Sequence, residues 1–273
     1  MVWLIVILAA SCSSSASVPP ETLPSAGASP LGTMVTALPS LSPTESDPRL
    51  AGSHAVSMMA PDGVVLAGRE FGDGRTGIVL SHYASEERGQ TMWFSFAQVL
   101  RQRGYRVLTF NFRGYCPGGA GGCSGGVFDK VESWRDVGLA ADTLRQSGVT
   151  KVFVMGAGLG GHSCLWAASR GGVDFAGVIA VSAPQLAIGG PSSYDLTATI
   201  LRSIKEPKLF LAGNTIDAEA RDDALSMYAA SLKPKELELL SSAVAGPELF
   251  TEGSADYVQH AAQIVFDFLA RNG

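Results

Sequence analysis

The 273-residue chain has few charged residues and no long apolar run in its interior. Only 16% of the residues are charged, and the formal net charge is −5. Nucleic-acid binders and anionic-membrane binders need clustered positive charge, so this balance predicts neither partner. A bilayer-spanning helix needs about 20 consecutive apolar residues, which the interior lacks. Because 46% of the residues are apolar, the composition predicts a large buried core instead.

Histidine and cysteine are also scarce, with four of each. Cys116 and Cys123 flank a glycine-rich loop without a nearby histidine, which makes a poor metal site. The loop is flexible enough to bring both thiols to bonding distance in an oxidising compartment, so we expect a disulfide and no metal. Cys164 falls on the apolar face of a predicted helix and is expected to lie in the core.

The N-terminal segment has its own character. A short apolar run at residues 2–10 leads into Ala-Ala-Ser-Cys ending at Cys12, which resembles the lipobox of a bacterial lipoprotein. No lysine or arginine precedes Arg49, so the basic region of a signal peptide is missing, and an ordinary secretory signal stays open. We expect a signal segment at 1–12, lipidation at Cys12, and export to the cell envelope as a membrane-anchored protein.

Residues 13–52 are rich in serine, proline, threonine and alanine. Such a composition cannot bury enough apolar surface to offset the entropy of ordering, so it predicts a disordered linker. The remaining residues, 53–273, are expected to form one domain.

In that domain, apolar strands alternate with helices. An N-terminal hairpin is predicted at 55–71, and the closing helix carries apolar residues on one face. The pattern predicts an α/β fold: a mostly parallel sheet with helices on both faces, an antiparallel hairpin at its start and a minimal lid. Further strands are expected at 77–81, 106–112, 151–155, 175–182, 208–213 and 236–241, and helices at 88–103, 128–146, 194–204 and 218–232.

A glycine-rich turn follows one buried strand, where residues 156–161 read Gly-Ala-Gly-Leu-Gly-Gly. In one frame this is the Gly-x-Ser-x-Gly nucleophile elbow with Gly158 in place of the serine. In another frame it is the Gly-x-Gly-x-x-Gly fingerprint of dinucleotide-binding proteins. The second frame needs an acidic residue at the end of the next strand, where the chain reads Ser-Ala-Pro at 182–184. A dinucleotide-binding oxidoreductase therefore stays as a second alternative.

Four segments, in order, carry a resemblance to a known family: Ile78 to His82, residues 104–114, the elbow, and residues 213–217. Together they resemble the α/β-hydrolase superfamily over about 53–273, in particular its small lidless esterases and dienelactone-hydrolase-like members. The resemblance implies a nucleophile, an acid and a histidine in that chain order, with no cofactor.

At two of these three positions the chain carries no reactive side chain. The nucleophile position holds Gly158. Residues 242–250 resemble the segment that carries the histidine, and the general-base position there holds Ala245. Asp217 matches the acid position as a remnant, although a helix N-cap is an equal interpretation.

An oxyanion pocket would survive these losses. The resemblance implies that it is formed by the amide of Leu159 and an amide near Tyr83, with His82 close by.

The predicted function follows from the missing groups. Loss of nucleophile or base costs a serine triad about a million-fold in rate. We therefore expect an exported, catalytically inactive hydrolase-like protein that binds a small ester, acid or lipid-like ligand, or a protein partner. The alternative is a weak esterase with a non-standard nucleophile, for which Ser163, His162 and His260 are the candidates.

Overall fold

The computed structural model describes residues 47–187, 189–213, 218–242 and 244–273. The predicted signal segment with Cys12, most of the predicted linker and Asp217 lie outside the described residues. Residues 47–52, which the sequence assigns to the end of the linker, include a short 3-10 helix, Pro48–Leu50, in which Leu50 is buried.

The described domain contains an eight-stranded sheet in the order β1-β2-β4-β3-β5-β6-β7-β8. Strand β2 pairs antiparallel with both β1 and β4, and all other neighbours are parallel. The predicted fold class is therefore confirmed. The strands are β1 (Ser53–Met59), β2 (Val65–Phe71), β3 (Thr76–Ser81), β4 (Arg106–Phe110), β5 (Lys151–Ala157), β6 (Gly177–Val181), β7 (Lys208–Gly213) and β8 (Lys235–Leu240).

Helices cover both faces of this sheet because the strands are apolar on both sides. Along β5, Val152 and Val154 join one apolar cluster with α2 to α5, while Phe153 and Met155 join another with α1 and α6. None of the described helices is both long and apolar enough to cross a bilayer. The helices are α1 (Phe94–Gln102), α2 (Ser133–Gln146), α3 (Leu159–Ser169), α4 (Ala198–Ser203), α5 (Ala218–Ala230) and α6 (Ala255–Asn272).

Two predicted helices begin with a different geometry from the one expected. The segment predicted as a helix at 88–103 starts with a 3-10 helix, Gly89–Trp93, before α1. The segment predicted at 128–146 starts with a 3-10 helix, Lys130–Glu132, before α2. Periodicity alone does not separate these two kinds of helix over a single turn.

The topology places several loops at one edge of the sheet. Strands β3, β5, β6, β7 and β8 run parallel, so the segments that follow them meet at their carboxyl ends. The loop after β4 contains the predicted disulfide, Cys116–Cys123. Its glycine-rich turn is held by side chains below it, since Gln90 and Asn111 each donate to the carbonyl oxygen of Gly121 at 2.7 Å.

Candidate functional site

The turn between β5 and α3 is the centre of the site. Gly158 has φ +51° and ψ −120°, a conformation that side chains of L-residues adopt only under strain. A Cβ at Gly156 would lie 2.2 Å from the carbonyl carbon of Gly160, and a Cβ at Gly160 would lie 2.3 Å from the carbonyl oxygen of Ser81. Both flanking glycines are therefore required by close packing. This strand-turn-helix geometry is that of a nucleophile elbow.

The loop after β3 closes over the tip of this elbow. A Cβ at Gly158 would lie 2.9 Å from the Cβ of Tyr83, closer than two such atoms pack without a shift. The contact is with the first carbon of the tyrosine side chain rather than with its flexible end. Gly158 is thus required by its neighbour as well as by its own backbone conformation.

The loop after β8 returns to the same place. A Cβ at Gly246 would lie 3.6 Å from the ring of Tyr83 and 3.7 Å from Ala157. This loop is the one in which the resemblance puts the general base. Ala245 is half-buried with an extended backbone. The ring of Tyr83 therefore lies between the elbow and the loop that carries the general-base position.

Two charged side chains fix the tyrosine. Arg88 pairs with Glu248 at 2.5 Å, and the same guanidinium nitrogen donates to the Tyr83 hydroxyl at 3.3 Å. Burial raises the pKa of Tyr83, and the negative charge of Glu248 raises it further. The phenol is therefore neutral at physiological pH and acts as a donor or acceptor rather than as a base.

A pocket of about 320 Å³ opens beside the elbow. The predicted pocket residues Tyr83, Gly158 and Leu159 line it. Leu159 begins α3, so its amide has no acceptor within the helix and lies at the positive end of the helix dipole. These features fit the binding of a carbonyl oxygen.

The pocket has an apolar wall and a polar rim. Pro184, Leu186 and Ala187 come from the segment after β6, which with Ala220 on α5 gives most of the apolar surface. The polar lining residues are Lys130, His162, Ser182, Glu219 and Asp223. No group of three or more histidine, cysteine or acidic residues within the described ranges has the arrangement of a metal site.

His82 lies next to the pocket residue Tyr83 but does not itself line the pocket. Its side chain is fully buried and is not among the lining residues. Nδ1 donates to the carbonyl oxygen of Tyr83 at 2.7 Å, and Nε2 accepts from the amide of Phe112 at 3.1 Å. Burial lowers the pKa of His82 to about 4. His82 is thus a neutral support beneath the loop that carries Tyr83.

His162 lines the pocket, but both of its nitrogens are engaged. Nδ1 lies 2.9 Å from the carbonyl oxygen of Pro184, and Nε2 lies 2.8 Å from that of Tyr194. Burial lowers its pKa, and the two carbonyl oxygens oppose this shift. His54 and His260 are exposed, on β1 and α6. Among the described residues, no histidine nitrogen at the elbow is placed to accept a nucleophile's proton.

Ser163 is buried below the pocket and is not accessible from it. It lies in a chain of hydroxyl groups: Tyr194 to Ser133 at 3.1 Å, Ser133 to Ser163 at 2.6 Å, and Ser163 to the carbonyl oxygen of Leu159 at 2.9 Å. Cys164 is also fully buried, as predicted, and burial raises its thiol pKa to about 12. Ser163, the candidate nucleophile of the weak-esterase alternative, therefore has a structural role.

Sequence reasoning missed two features of this site. Ser182, directly after β6, lines the pocket with a positive φ of 45°. Its position directly after a buried parallel strand could have identified it, since residues at the carboxyl ends of such strands face the same crevice. The Arg88–Glu248 pair had no such signal, because its members are 160 residues apart in the chain.

Comparisons with known proteins agree with this geometry. The profile of the family described as alpha/beta hydrolase fold matches residues 77–232, more than half of the chain. No curated protein matches significantly.

Similar solved structures include three esterases. An esterase of Pyrococcus furiosus is 18% identical with a TM-score of 0.65, covering 81% of this chain and 92% of its own. The esterase domain of a Rhodothermus marinus protein is 17% identical with a TM-score of 0.62, covering 80% and 98%. An esterase of Exiguobacterium antarcticum is 16% identical with a TM-score of 0.63, covering 80% and 100%. At these identities the likeness shows the fold alone, but together with the family match it establishes that this chain belongs to the α/β-hydrolase family.

Proposed function

We propose that this protein uses the hydrolase fold to bind a small ester, acid or lipid-like ligand and does not hydrolyse it through a serine triad. The observation that carries the proposal is the elbow itself. Gly158 has no reactive group, and Tyr83 occupies the space that a side chain at 158 needs. A pocket with an apolar wall lies beside this turn.

The magnitudes favour binding over catalysis. Removal of either nucleophile or base from a serine triad costs about 10⁶ in rate, and removal of both costs little more because they act as a unit. An oxyanion hole and substrate binding alone accelerate hydrolysis by only about 10³- to 10⁴-fold over the reaction in water. Packing around the elbow supports the same interpretation, since the Cβ of Tyr83 lies where a side chain at 158 would need space.

Two other interpretations receive less support. A dinucleotide site would need an acidic residue after β6 for the ribose hydroxyls, and the residue there is Ser182. The glycines at 156 and 160 are accounted for by packing within the elbow. A concave pocket lined by Pro184, Leu186 and Ala220 favours a small ligand over a protein partner.

We also propose that the protein is exported and anchored through a lipid on Cys12. The lipobox-like sequence that ends at Cys12 supports this, and so does the Cys116–Cys123 disulfide, since disulfides persist in oxidising compartments.

The catalytic part of the proposal is tested by labelling the purified full chain with a fluorophosphonate and assaying p-nitrophenyl butyrate. We expect no labelled serine and no turnover above buffer. The positive control is the triple variant Gly158→Ser, Ala245→His, Tyr83→Gly, which restores two triad groups and removes the obstructing side chain. Labelling of the unaltered chain that disappears in Ser163→Ala or Ser182→Ala would contradict the proposal.

A further inference from the structure

Ser182 has an unusual backbone for a serine. It is the only non-glycine residue with positive φ in the described part of the chain, at 45°. Such strain persists only where surrounding contacts force it, and it concentrates at functional sites. Here the contacts are backbone bonds on both sides: the amide of Ser182 donates to the carbonyl oxygen of Leu211 at 2.8 Å, and the carbonyl oxygen of Val181 accepts from Gly158 at 2.9 Å.

These bonds place Ser182 beside the elbow. In the register of β5 and β6, Ala157 is paired with Val181, so the residues that follow them, Gly158 and Ser182, are neighbours at the edge of the sheet. Both line the pocket. The strained serine therefore lies next to the N-terminus of α3, where a carbonyl oxygen would be bound.

The hydroxyl group of Ser182 has a proton to offer. Its Oγ accepts a hydrogen bond from the amide of Gly246 at 3.2 Å, and no acceptor for its own proton occurs among the described residues. A hydroxyl that accepts one hydrogen bond is polarised toward donating another. Because the bond to Gly246 fixes the oxygen, the remaining proton is available to a molecule in the pocket.

The surrounding charges indicate the kind of acceptor. Among the described lining residues, the rim carries two carboxylates, Glu219 and Asp223, and one ammonium group, Lys130. This balance disfavours a carboxylate ligand and favours an uncharged one, since like charges in a partly desolvated site repel.

We infer that Ser182 is a ligand-binding residue, whose hydroxyl donates to the carbonyl oxygen of an uncharged acyl ligand and so selects it over ligands without that oxygen. This inference rests on the proposed function. It assigns no nucleophilic role to Ser182, because none of the described histidines lies within hydrogen-bond distance of its hydroxyl. The strained backbone is what holds the donor in place.

The test compares two probes of matched length, methyl hexanoate and hexyl methyl ether, which differ by the carbonyl group. Dissociation constants come from amide chemical shifts of the full chain. We expect the ester to bind at least fivefold more tightly than the ether, with one hydrogen bond from Ser182 worth about fivefold. In Ser182→Ala the preference should fall by about fivefold, leaving what the Leu159 amide provides, while Ser57→Ala, on exposed β1, should retain the full preference.

Ser182→Gly separates the donor from the strain. It should weaken the preference for the ester as Ser182→Ala does, yet its Tm should lie about 2–4 °C above that of Ser182→Ala, because both variants lose the bond to Gly246 but only glycine adopts this φ without penalty. Equal binding of ester and ether by the unaltered chain would overturn the inference and leave the proposed function standing. Binding of neither probe would overturn both. Release of methanol from the ester would contradict the absence of hydrolysis.

Discussion

At the scale of single residues, the site is decided by Gly158 and Tyr83. Glycine at 158 relieves the backbone strain that any other residue would bear at φ +51°, and Tyr83 then packs against the vacated space. The two residues are coupled, because a side chain at 158 would collide with Tyr83. Replacing Gly158 alone should therefore lower the stability of the protein.

We predict that Gly158→Ser destabilises the protein by about 2–6 kcal/mol, the sum of backbone strain and overpacking against Tyr83. In a Tyr83→Gly background the same substitution should cost at least about 1 kcal/mol less, because the carbon that the new side chain meets is gone. Thermal or denaturant unfolding of the double-mutant cycle measures the coupling.

Gly171→Ser is the control for this cycle. Gly171 also has positive φ, at 65°, but a Cβ there meets nothing within 4 Å. Its substitution should show the cost of strain without the contact term, and no coupling to Tyr83→Gly. Equal losses for Gly158→Ser and Gly171→Ser would contradict the packing argument.

At the scale of secondary-structure elements, His82 connects two strand ends. It follows β3, and its Nε2 accepts a hydrogen bond from the amide of Phe112, which follows β4. The same ring donates to the carbonyl oxygen of Tyr83, so it fixes the backbone that carries Tyr83. Only the neutral tautomer with a proton on Nδ1 satisfies both bonds, because a proton on Nε2 would face the Phe112 amide.

This arrangement predicts a loss of stability in acid. The pKa of His82 is about 4 in the folded state, against about 6.5 in the unfolded chain. Between these values the unfolded state binds more protons, so the free energy of unfolding falls as pH decreases from about 6.5 to about 4, by about 3 kcal/mol at most. His162, whose pKa is also lowered by burial, acts in the same direction.

Denaturant unfolding at several pH values measures this slope, and an NMR titration of the His82 ring measures its pKa directly. His54→Gln should leave the slope unchanged, because His54 is exposed on β1. A ring that titrates near 6.5 would show that the environment of His82 is not as described.

The element scale also separates what was predictable from what was not. The apolar pattern located α2 within the segment predicted at 128–146, and Val137, Ala141 and Leu144 are buried there. Local patterns did not reveal that Tyr83 lies close to both Gly158 and Gly246, because these positions are far from it in the chain. Side-chain periodicity reports which face is buried, not which distant loop covers it.

At the scale of the whole molecule, the described domain closes both faces of its sheet with apolar clusters. The proposed attachment to a membrane is through a lipid on Cys12, before this domain.

We predict that the full chain expressed in a bacterium partitions into the detergent phase of a Triton X-114 extraction, and that Cys12→Ala moves it to the aqueous phase. Covalent lipid supplies about 0.8 kcal/mol of membrane affinity per buried CH₂. Cys164→Ala is the control, because Cys164 lies in the core and should not affect partitioning. Aqueous partitioning of the unaltered chain would contradict lipid anchoring.

The sequence by itself determined the fold class and the glycine-flanked turn, with glycine at 158 and alanine at 245, because these depend on local patterns of apolar residues and on residue identity. Only the tertiary structure decided that the Tyr83 ring lies near Gly246, that Ser163 is buried, and that Ser182 lines the pocket. These features depend on contacts between loops far apart in the chain, which come together only when parallel strands end at one edge of a sheet.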